Sequence, residues 1–480
     1  MTPIKTHPTG MGSLFQSLAE DVAKRIDERD GVVHPESASA DDPQRPTLDN
    51  PVVKAAAEVA GEIEKSGEAP PATAPAPAAD GTVQPESFGQ TVKDCASLSA
   101  RILLARAKGD TAKAIQLEND LKFSTCDPAW AQAVTQYIQV FGLDGSKHEI
   151  PYVTYKNMDD FVIEGLPANA RIALVADWGT GTADAVALLQ QVKAHDPDVL
   201  IHLGDIYYAA TPDECQKYFL AIVDRVFNRS DGQVPVFNLC GNHDVYSGGE
   251  GFYGLMPQLN PSPPFKPGWT QKASYFALRS PSWQLLGMDT GLHDHDPFDV
   301  TGNVTYLEPT EEAWHVDKVR RFSENGGRTI LLSHHQLFSA FSAIGTKGSG
   351  PSEGAINPKL QASWQKIKAA GDVAAWFWGH EHNLCIYEPF AGLDKGRCIG
   401  HGAIPSFLDP SPYDPIEGVG PLPFLVDDPK NAGKKVQLSV AGPVYDHGFV
   451  ILDLDDTART AKVTYYQMSQ PDTPLYEEVI

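Results

Sequence analysis

The sequence is poor in positive charge and contains neither a CxxC cysteine pair nor a long apolar run. Its 480 residues include 38 lysines and arginines against 62 aspartates and glutamates, which gives a formal charge of −24. A general nucleic-acid binder neutralises phosphates with clustered Lys and Arg, and no such cluster occurs here. We therefore expect no nucleic-acid partner. Any bound anion would need local positive charge, which a metal ion can supply in an acidic protein.

The cysteines and the apolar runs bear on the cellular compartment. Six scattered cysteines have no regular spacing, which favours reduced thiols, although an even number also permits disulfides. Residues 1–30 lack the apolar core of a signal peptide, and no later stretch reaches the length of a membrane span. We therefore expect a cytoplasmic protein without a transmembrane segment, with leaderless export as the alternative.

The composition changes along the chain and predicts three regions. Residues 1–90 contain tracts such as "GEAPPATAPAPAADGTVQPES", rich in Pro and Ala, which predict a mostly disordered tail with short amphipathic helices. Two apolar stripes at helical spacing, at 14–26 and 52–63, are interpreted either as docking surfaces for a protein partner or a membrane, or as transient helices. Residues 91–147 read as three short helices forming a small helical segment. Residues 148–480 are predicted to form the main domain.

Within that domain, apolar strand-like runs alternate with helical stretches. The runs "RIALVAD", "DVLIHLGD", "VPVFNLCGNHD", "RTILLSHH" and "VAAWFWGHEH" are separated by helical patterns such as "TADAVALLQQVKAH" and "EEAWHVDKVRRFSE". This alternation predicts an α/β architecture whose core sheet is covered on its faces.

Each of these strands ends in a polar cluster. The clusters are "DWG" at 177–179, "GDIYY" at 204–208, "GNHD" at 241–244, "LLSHH" at 331–335 and "GHEH" at 379–382. A single cluster is explained as a helix cap or a turn. Five of them at strand ends predict one shared site, because ligands in α/β sheets bind outside the carboxyl ends of the strands. Carboxylate, imidazole and amide donors together favour a site for two metal ions.

These five clusters resemble the pattern of the calcineurin-like metallophosphoesterases, and within them the purple acid phosphatases. That group carries DxG, GDxxY, GNH(D/E), VxxH and GHxH, and this chain carries all five, with Leu331 in place of the Val. Gly179 and Tyr208 separate this group from branches that begin with DxH. The motifs "GHEHNL", "SYFAL" and "MDTG" add a weaker likeness to the tartrate-resistant acid phosphatase type. The resemblance covers roughly residues 171–454 and implies a four-layer αββα sandwich.

The resemblance implies a ligand set for each of two metals. The expected ligands of the first metal are Asp177, Asp205, Tyr208 and His382. The expected ligands of the second metal are Asp205 as the bridge, Asn242, His334 and His380. Tyrosinate favours ferric iron, so iron is expected at the first position and iron, zinc or manganese at the second.

The implied reaction is the hydrolysis of a small-molecule phosphomonoester by a hydroxide held between the two metals. His243 is expected to protonate the leaving group or stabilise the phosphate, and Asp244 to orient His243 through its ring nitrogen. A phosphodiesterase or nucleotide pyrophosphatase on the same scaffold is the main alternative. A non-catalytic scaffold that binds partners through the N-terminal tail is the third.

Neighbouring polar residues leave further alternatives open. His335, next to the expected ligand His334, either lines the pocket or packs in the interior. The stretch "GLHDHDPFD", with His293, Asp294, His295 and Asp296, is interpreted as a solvated loop rather than an extra metal site, because its spacing fits no strong metal motif.

Overall fold

The computed structural model describes residues 150–294, 304–344, 354–406, 408, 411–441 and 444–480. The predicted tail at 1–90 and the predicted helical segment at 91–147 lie outside these residues, so the division into three regions stays a prediction. His295 and Asp296 also lie outside the described residues.

Strands in the described residues form two large sheets and one short hairpin. The strands are β1 (Val162–Glu164), β2 (Arg171–Val175), β3 (Val199–His202), β4 (Val236–Asn238), β5 (Phe276–Arg279), β6 (Trp283–Gly287), β7 (Arg328–Leu332), β8 (Val373–Trp378), β9 (Leu384–Ile386), β10 (Gly396–Ile399), β11 (Val440–Ala441), β12 (Val444–Tyr445), β13 (Gly448–Asp455), β14 (Thr460–Gln467) and β15 (Tyr476–Val479). One sheet has the order β1-β5-β6-β7-β8-β10-β9, and the other has the order β15-β14-β13-β2-β3-β4. Strands β11 and β12 pair with each other.

Helices connect the strands, and their starts follow the sequence. The helices are α1 (Ala183–Ala194), α2 (Pro212–Glu214), α3 (Ala221–Phe227), α4 (Glu250–Leu259), α5 (Pro309–Glu324) and α6 (Pro358–Ala370), with a π-helix at Cys215–Leu220 and 3₁₀ turns at Arg229–Asp231 and His243–Val245. The side chain of Thr182 caps α1, and that of Asn357 caps α6, by accepting backbone N–H bonds. The two helical patterns named from the sequence correspond to α1 and α5.

Three apolar cores separate four layers. In β2, Ile172 and Leu174 pack between the two sheets, whereas Ala173 and Val175 pack against α1 and α4. In β7, which belongs to the other sheet, Leu331 points away from the space between the sheets. It packs in a third core together with residues of α5 and α6. Both sheets are therefore covered by helices on their outer faces, and the order is helix, sheet, sheet, helix. The predicted α/β fold with a four-layer αββα sandwich is confirmed.

The parallel strands bring their carboxyl ends to one region. Strands β2, β3 and β4 are parallel neighbours in one sheet, and β7 and β8 are parallel neighbours in the other. Beyond the strand ends, the Asp177 N–H donates to the Gly204 carbonyl, and the Gly379 N–H donates to the His334 carbonyl. The five polar clusters therefore start from adjoining positions. Within the described part of the chain, no helix combines the length and the apolar character needed to cross a bilayer.

Candidate metal centre

Three of the expected ligands occupy strained backbone positions directly after strands. Asp177, Asp205 and His380 have φ angles of 54°, 74° and 66°, in the left-handed region. Such a conformation costs on the order of 1–3 kcal/mol and persists where surrounding contacts fix it, often at functional sites. The sharp turn at each strand end directs these side chains into the space between the strand ends.

Three electron-pair donors converge beside the end of β7. Asn242 Oδ1 lies 3.1 Å from His334 Nε2 and 3.1 Å from His380 Nδ1, and the two ring nitrogens are 3.3 Å apart. The Asn242 amide donates from Nδ2 to the Tyr246 hydroxyl, which leaves Oδ1 facing the imidazoles. His334 Nδ1 bonds to the Leu203 carbonyl at 2.9 Å, so its Nε2 carries the lone pair of the neutral ring.

A second group of donors surrounds the hydroxyl of Tyr207. This oxygen lies 3.1 Å from Asp177 Oδ1, 3.0 Å from Asp205 Oδ2 and 3.1 Å from His382 Nε2. A neutral phenol has one proton to donate, so its hydroxyl bonds to one of the two carboxylates at a time. Burial and the two carboxylates raise the pKa of Tyr207 well above its usual value.

Asp205 joins the two groups through a single oxygen. Its Oδ2 lies 3.0 Å from the Tyr207 hydroxyl in one group and 3.3 Å from His334 Nε2 in the other. The other carboxylate oxygen, Oδ1, accepts the His243 backbone N–H at 3.1 Å. Oδ2 of Asp205 therefore contacts both donor groups.

The residues present fit two cations. Metal–donor distances of about 2.0–2.2 Å place neighbouring ligands of one ion about 3 Å apart, which matches the donor separations in both groups. The electrostatics agree. Burial alone would lower the pKa of His334, but Asp205 and Asp177 raise it to about 9. Burial would likewise raise the pKa of Asp205, yet His334 and His243 hold it well below its usual range. The two carboxylates therefore stabilise a positive charge at the position of His334.

The tyrosine in this cluster is not the one that the sequence pattern indicates, and the ligand role of Tyr208 stays a prediction. The hydroxyl joined to Asp177, Asp205 and His382 belongs to Tyr207, whereas the motif had indicated Tyr208. The backbone of Tyr208 is held from both sides: its N–H donates to Glu214 Oε1, and its carbonyl accepts from His243 Nδ1. These contacts fix the loop so that the preceding residue directs its ring to the carboxylates.

His243 lies beside the cluster, as expected. Its Nδ1–H donates to the Tyr208 carbonyl at 2.6 Å, and its Nε2 lies 4.0 Å from Asp205 Oδ2. Burial lowers the pKa of His243, while the charge of Asp205 opposes this effect. The ring is thereby oriented with Nε2 toward the shared carboxylate.

Asp244 does not orient His243, which corrects the expected role. Its Oδ2 accepts the backbone N–H groups of Asp205 and Gly241, both at 2.8 Å, and its Oδ1 accepts that of Ile206 at 3.1 Å. The buried carboxylate thus fixes the loop that carries Asp205. Gly241 is needed for the same approach, because a Cβ there would overlap Asp205 Oδ1.

Two supporting residues were missed in the sequence. Tyr246 accepts from the Asn242 amide, four positions along a 3₁₀ turn. Glu214 accepts from the backbone of Tyr208, Ala209 and Thr211. The segment "TPDE" contains the Thr and Glu spacing of a capping box, which was the available signal for Glu214. No comparable motif indicated Tyr246.

The neighbouring polar residues are also placed by the structure. His335 is buried, and its Nε2 lies 3.0 Å from Asp294 Oδ2. His293 stacks on Tyr306 and lies 2.8 Å from Glu308 Oε1. The loop was expected to be solvated, but Asp294 is buried because it pairs with His335. The structure therefore corrects that expectation for Asp294.

Comparison with known proteins gives one family match. Residues 170–384 match the profile of the calcineurin-like phosphoesterase family. No curated protein matches the chain significantly.

Several solved structures are similar over much of the chain at low identity. The anchor protein in the inner membrane complex of Plasmodium is 13% identical, with a TM-score of 0.39, over 65% of this chain and 88% of that chain. A dimetal phosphatase from Danio rerio is 11% identical, with a TM-score of 0.40, over 65% of this chain and 99% of that chain. A predicted phosphoesterase from Streptococcus pneumoniae is 11% identical, with a TM-score of 0.26, over 65% and 98% of the two chains.

The matched range includes every strand end that contributes to the centre, from Asp177 to His382. The family profile and the four-layer fold therefore agree. Residues 170–384 therefore match a calcineurin-like phosphoesterase domain in both sequence profile and layer order.

Proposed function

We propose that this chain hydrolyses phosphomonoesters at a centre of two metal ions. The observation that supports the proposal is the position of Asp205 Oδ2. It lies 3.0 Å from the Tyr207 hydroxyl and 3.3 Å from His334 Nε2, distances typical of two ligands of the same metal ion. Two adjacent cations supply an activated water as nucleophile and neutralise the charge on the phosphoryl group.

Each donor group would hold one ion. The ligands proposed for the first ion are Asp177, Asp205, Tyr207 and His382. The ligands proposed for the second ion are Asp205, Asn242, His334 and His380. Tyr207 takes the role that the motif gave to Tyr208, because its hydroxyl makes the contacts with the other donors.

His243 is proposed to serve the reaction through Nε2. The bond from Nδ1–H to the Tyr208 carbonyl fixes the ring, so Nε2 is the atom that exchanges a proton with the substrate. In the protonated form it would donate to the leaving oxygen. Asp244 acts at a distance by holding the backbone of Asp205 in place.

The nature of the metals follows from the donors. A tyrosinate is a hard, strongly donating ligand that favours ferric iron, so iron is proposed at the first position. Iron, zinc or manganese is proposed at the second, where imidazole and amide donors predominate. This assignment and the monoester substrate together would make the chain a purple acid phosphatase of the tartrate-resistant type.

The N-terminal regions are proposed to bind a protein partner rather than to take part in the reaction. The division into 1–90, 91–147 and 148–480 is kept, with the first region as a tail that binds a protein partner. The cytoplasm is the proposed compartment, because the scattered cysteines favour reduced thiols.

The test combines metal analysis with two substrates on the full-length protein. We expect about two metal ions per chain and faster hydrolysis of an aryl phosphomonoester than of the matching diester. Asp205→Asn should abolish both metal binding and turnover. Asp213→Asn, a control on an exposed residue that pairs with Lys217, should change neither.

The other outcomes identify the alternatives. Faster hydrolysis of the diester or of a nucleoside diphosphate derivative would favour the phosphodiesterase or pyrophosphatase. Failure to bind metal after reconstitution would overturn the catalytic proposal. An Asn242→Ala variant that loses metal but keeps its biological role would favour the non-catalytic scaffold.

A further inference from the structure

The two imidazoles near Asn242 are oriented in different ways. His334 is fixed by the hydrogen bond between its Nδ1 and the Leu203 carbonyl. Histidines that bind metals usually have such a bond on the second ring nitrogen, because it sets the tautomer and the ring orientation. The hydrogen bonds of His380 to described residues involve only its backbone nitrogen and Nδ1. Its orientation therefore needs another source.

The ring of His335 packs against the ring of His380. Their centroids are 4.5 Å apart and the planes are inclined by 40°. The His334 and His380 rings, in contrast, are nearly perpendicular, with centroids 5.2 Å apart. Contact with the face of His335 restricts rotation of the His380 ring, and rotation would move Nδ1 away from Asn242.

His335 itself is fixed at both ring nitrogens. Its Nδ1 lies 3.0 Å from Thr290 Oγ1, and its Nε2 lies 3.0 Å from Asp294 Oδ2. The Asp294 carboxylate can only accept, so the ring proton is on Nε2, and Nδ1 of the neutral ring accepts from the Thr290 hydroxyl. His335 belongs with His334 and His380 to a group whose nitrogens could hold a metal ion, but both of its ring nitrogens already bond to Thr290 and Asp294.

The loop that holds His335 is anchored to helix α5. Asp289 Oδ1 accepts the N–H groups of Gly291 and Leu292, both at 3.0 Å. The Asp289 N–H donates to Glu311 Oε1 at 2.8 Å. This network gives Thr290 and Asp294 a fixed base under the ring of His335.

We propose that His335 is a positioning residue for His380. Its ring, fixed by Thr290 and Asp294, keeps the His380 imidazole turned with Nδ1 toward the second ion. The proposal rests on the two-ion centre of the proposed function. The sequence left open whether His335 lines the pocket or packs in the interior. In this proposal it does both, because the residue is buried and also borders the metal centre.

The test measures ion binding rather than activity. Metal-free full-length protein is titrated with Zn²⁺ by calorimetry, and Asn242→Ala identifies the event that belongs to the second ion. His335→Ala is expected to weaken this event by about 10–100-fold, as the loss of an orienting group does, and to leave the first event unchanged. His335→Phe keeps a ring against His380 and should recover most of the affinity. His195→Ala, a control whose ring packs on Tyr466, should match wild type.

The outcomes separate this proposal from the proposed function. A wild-type chain that binds no second ion overturns the two-ion centre itself. Equal second-ion affinity in wild type and His335→Ala overturns only the role of His335, as does equal weakening of both ions. If His335→Ala does not fold, Asp294→Asn replaces it. That variant loosens the ring, so a weaker second event supports the proposal and an unchanged one overturns it.

Discussion

Asp244 Oδ2 lies 2.8 Å from the backbone nitrogen of Asp205, and this contact joins Asp205, the proposed bridge, to the "GNHD" loop. The same oxygen accepts from Gly241, and Oδ1 accepts from Ile206. The bridge therefore depends on a carboxylate that is not a member of either donor group.

Replacing Asp244 with Asn should destabilise the domain even without metal. An amide has one oxygen, so at least one of the three buried N–H groups would face an NH₂ group and lose its acceptor. The expected cost is about 1–3 kcal/mol in the free energy of unfolding. Urea unfolding of metal-free protein measures it. Asp213→Asn serves as the surface control, with an expected change below about 0.5 kcal/mol. Identical unfolding midpoints for Asp244→Asn and wild type would contradict the inference that Asp244 fixes the backbone around Asp205.

Substitutions of the two adjacent tyrosines should have different effects on the colour of the iron-loaded protein. If iron binds the hydroxyl that contacts Asp177, Asp205 and His382, Tyr207→Phe should remove the broad visible band of the iron-loaded protein. Tyr208→Phe is the matched control and should keep the band. The visible spectrum and the iron content of both variants provide the measurement. A band that survives in Tyr207→Phe but disappears in Tyr208→Phe would return the assignment to the motif position.

The comparison of these residues shows what the sequence could predict. Apolar runs followed by polar clusters were sufficient to place Asn242, His334 and His380 at neighbouring strand ends, because parallel strands bring their carboxyl ends together. The α/β architecture followed from the alternation of strands and helices, whereas the four-layer sandwich was expected from the family resemblance. These features depend on local patterns that repeat along the chain.

The features that the sequence pattern did not indicate depend on contacts between residues that are distant in the chain. The choice between Tyr207 and Tyr208 depends on how Glu214 and His243 hold the loop backbone. The burial of Asp294 depends on His335, which lies 41 positions further along. No periodicity encodes such pairings, so the sequence pattern indicated the loops but not every side chain that contacts another within them.

His243 should affect turnover without affecting the metals. Its ring is fixed through Nδ1, and Nε2 lies 4.0 Å from the shared carboxylate, so it can act on substrate but is not a proposed ligand. His243→Ala is expected to lower kcat by about 10²–10⁴-fold, the range for loss of a general acid. Steady-state kinetics with an aryl phosphate and metal analysis of the same sample provide the measurement. Loss of a metal ion, or an unchanged kcat, would contradict the assignment.

A buried ion pair between the two sheets predicts a pH dependence of stability. Arg397 in β10 is buried, and it makes two hydrogen bonds to the carboxylate of Glu478 in β15, at 2.6 and 2.7 Å. Burial would raise the pKa of Glu478, but Arg397 and Lys395 together lower it to about 2. Because the folded-state pKa is below the unfolded value near 4.5, the pair stabilises the fold above about pH 4.5. This stabilisation is lost as the pH falls toward about 2.

Glu478→Gln should therefore destabilise the domain most at neutral pH. It leaves the guanidinium of Arg397 buried without a countercharge, at a cost of about 3–5 kcal/mol in the free energy of unfolding. Below pH 4.5 the difference from wild type should shrink by about 1.4 kcal/mol per pH unit, because wild type alone loses the charged pair. Glu477→Gln, on the same strand but in an exposed pair with Lys462, is the control and should cost about 1 kcal/mol or less. Denaturant titrations of the three proteins between pH 7 and pH 3 measure both effects. A difference for Glu478→Gln that stays constant with pH would show that the carboxylate does not stabilise the fold through its charge.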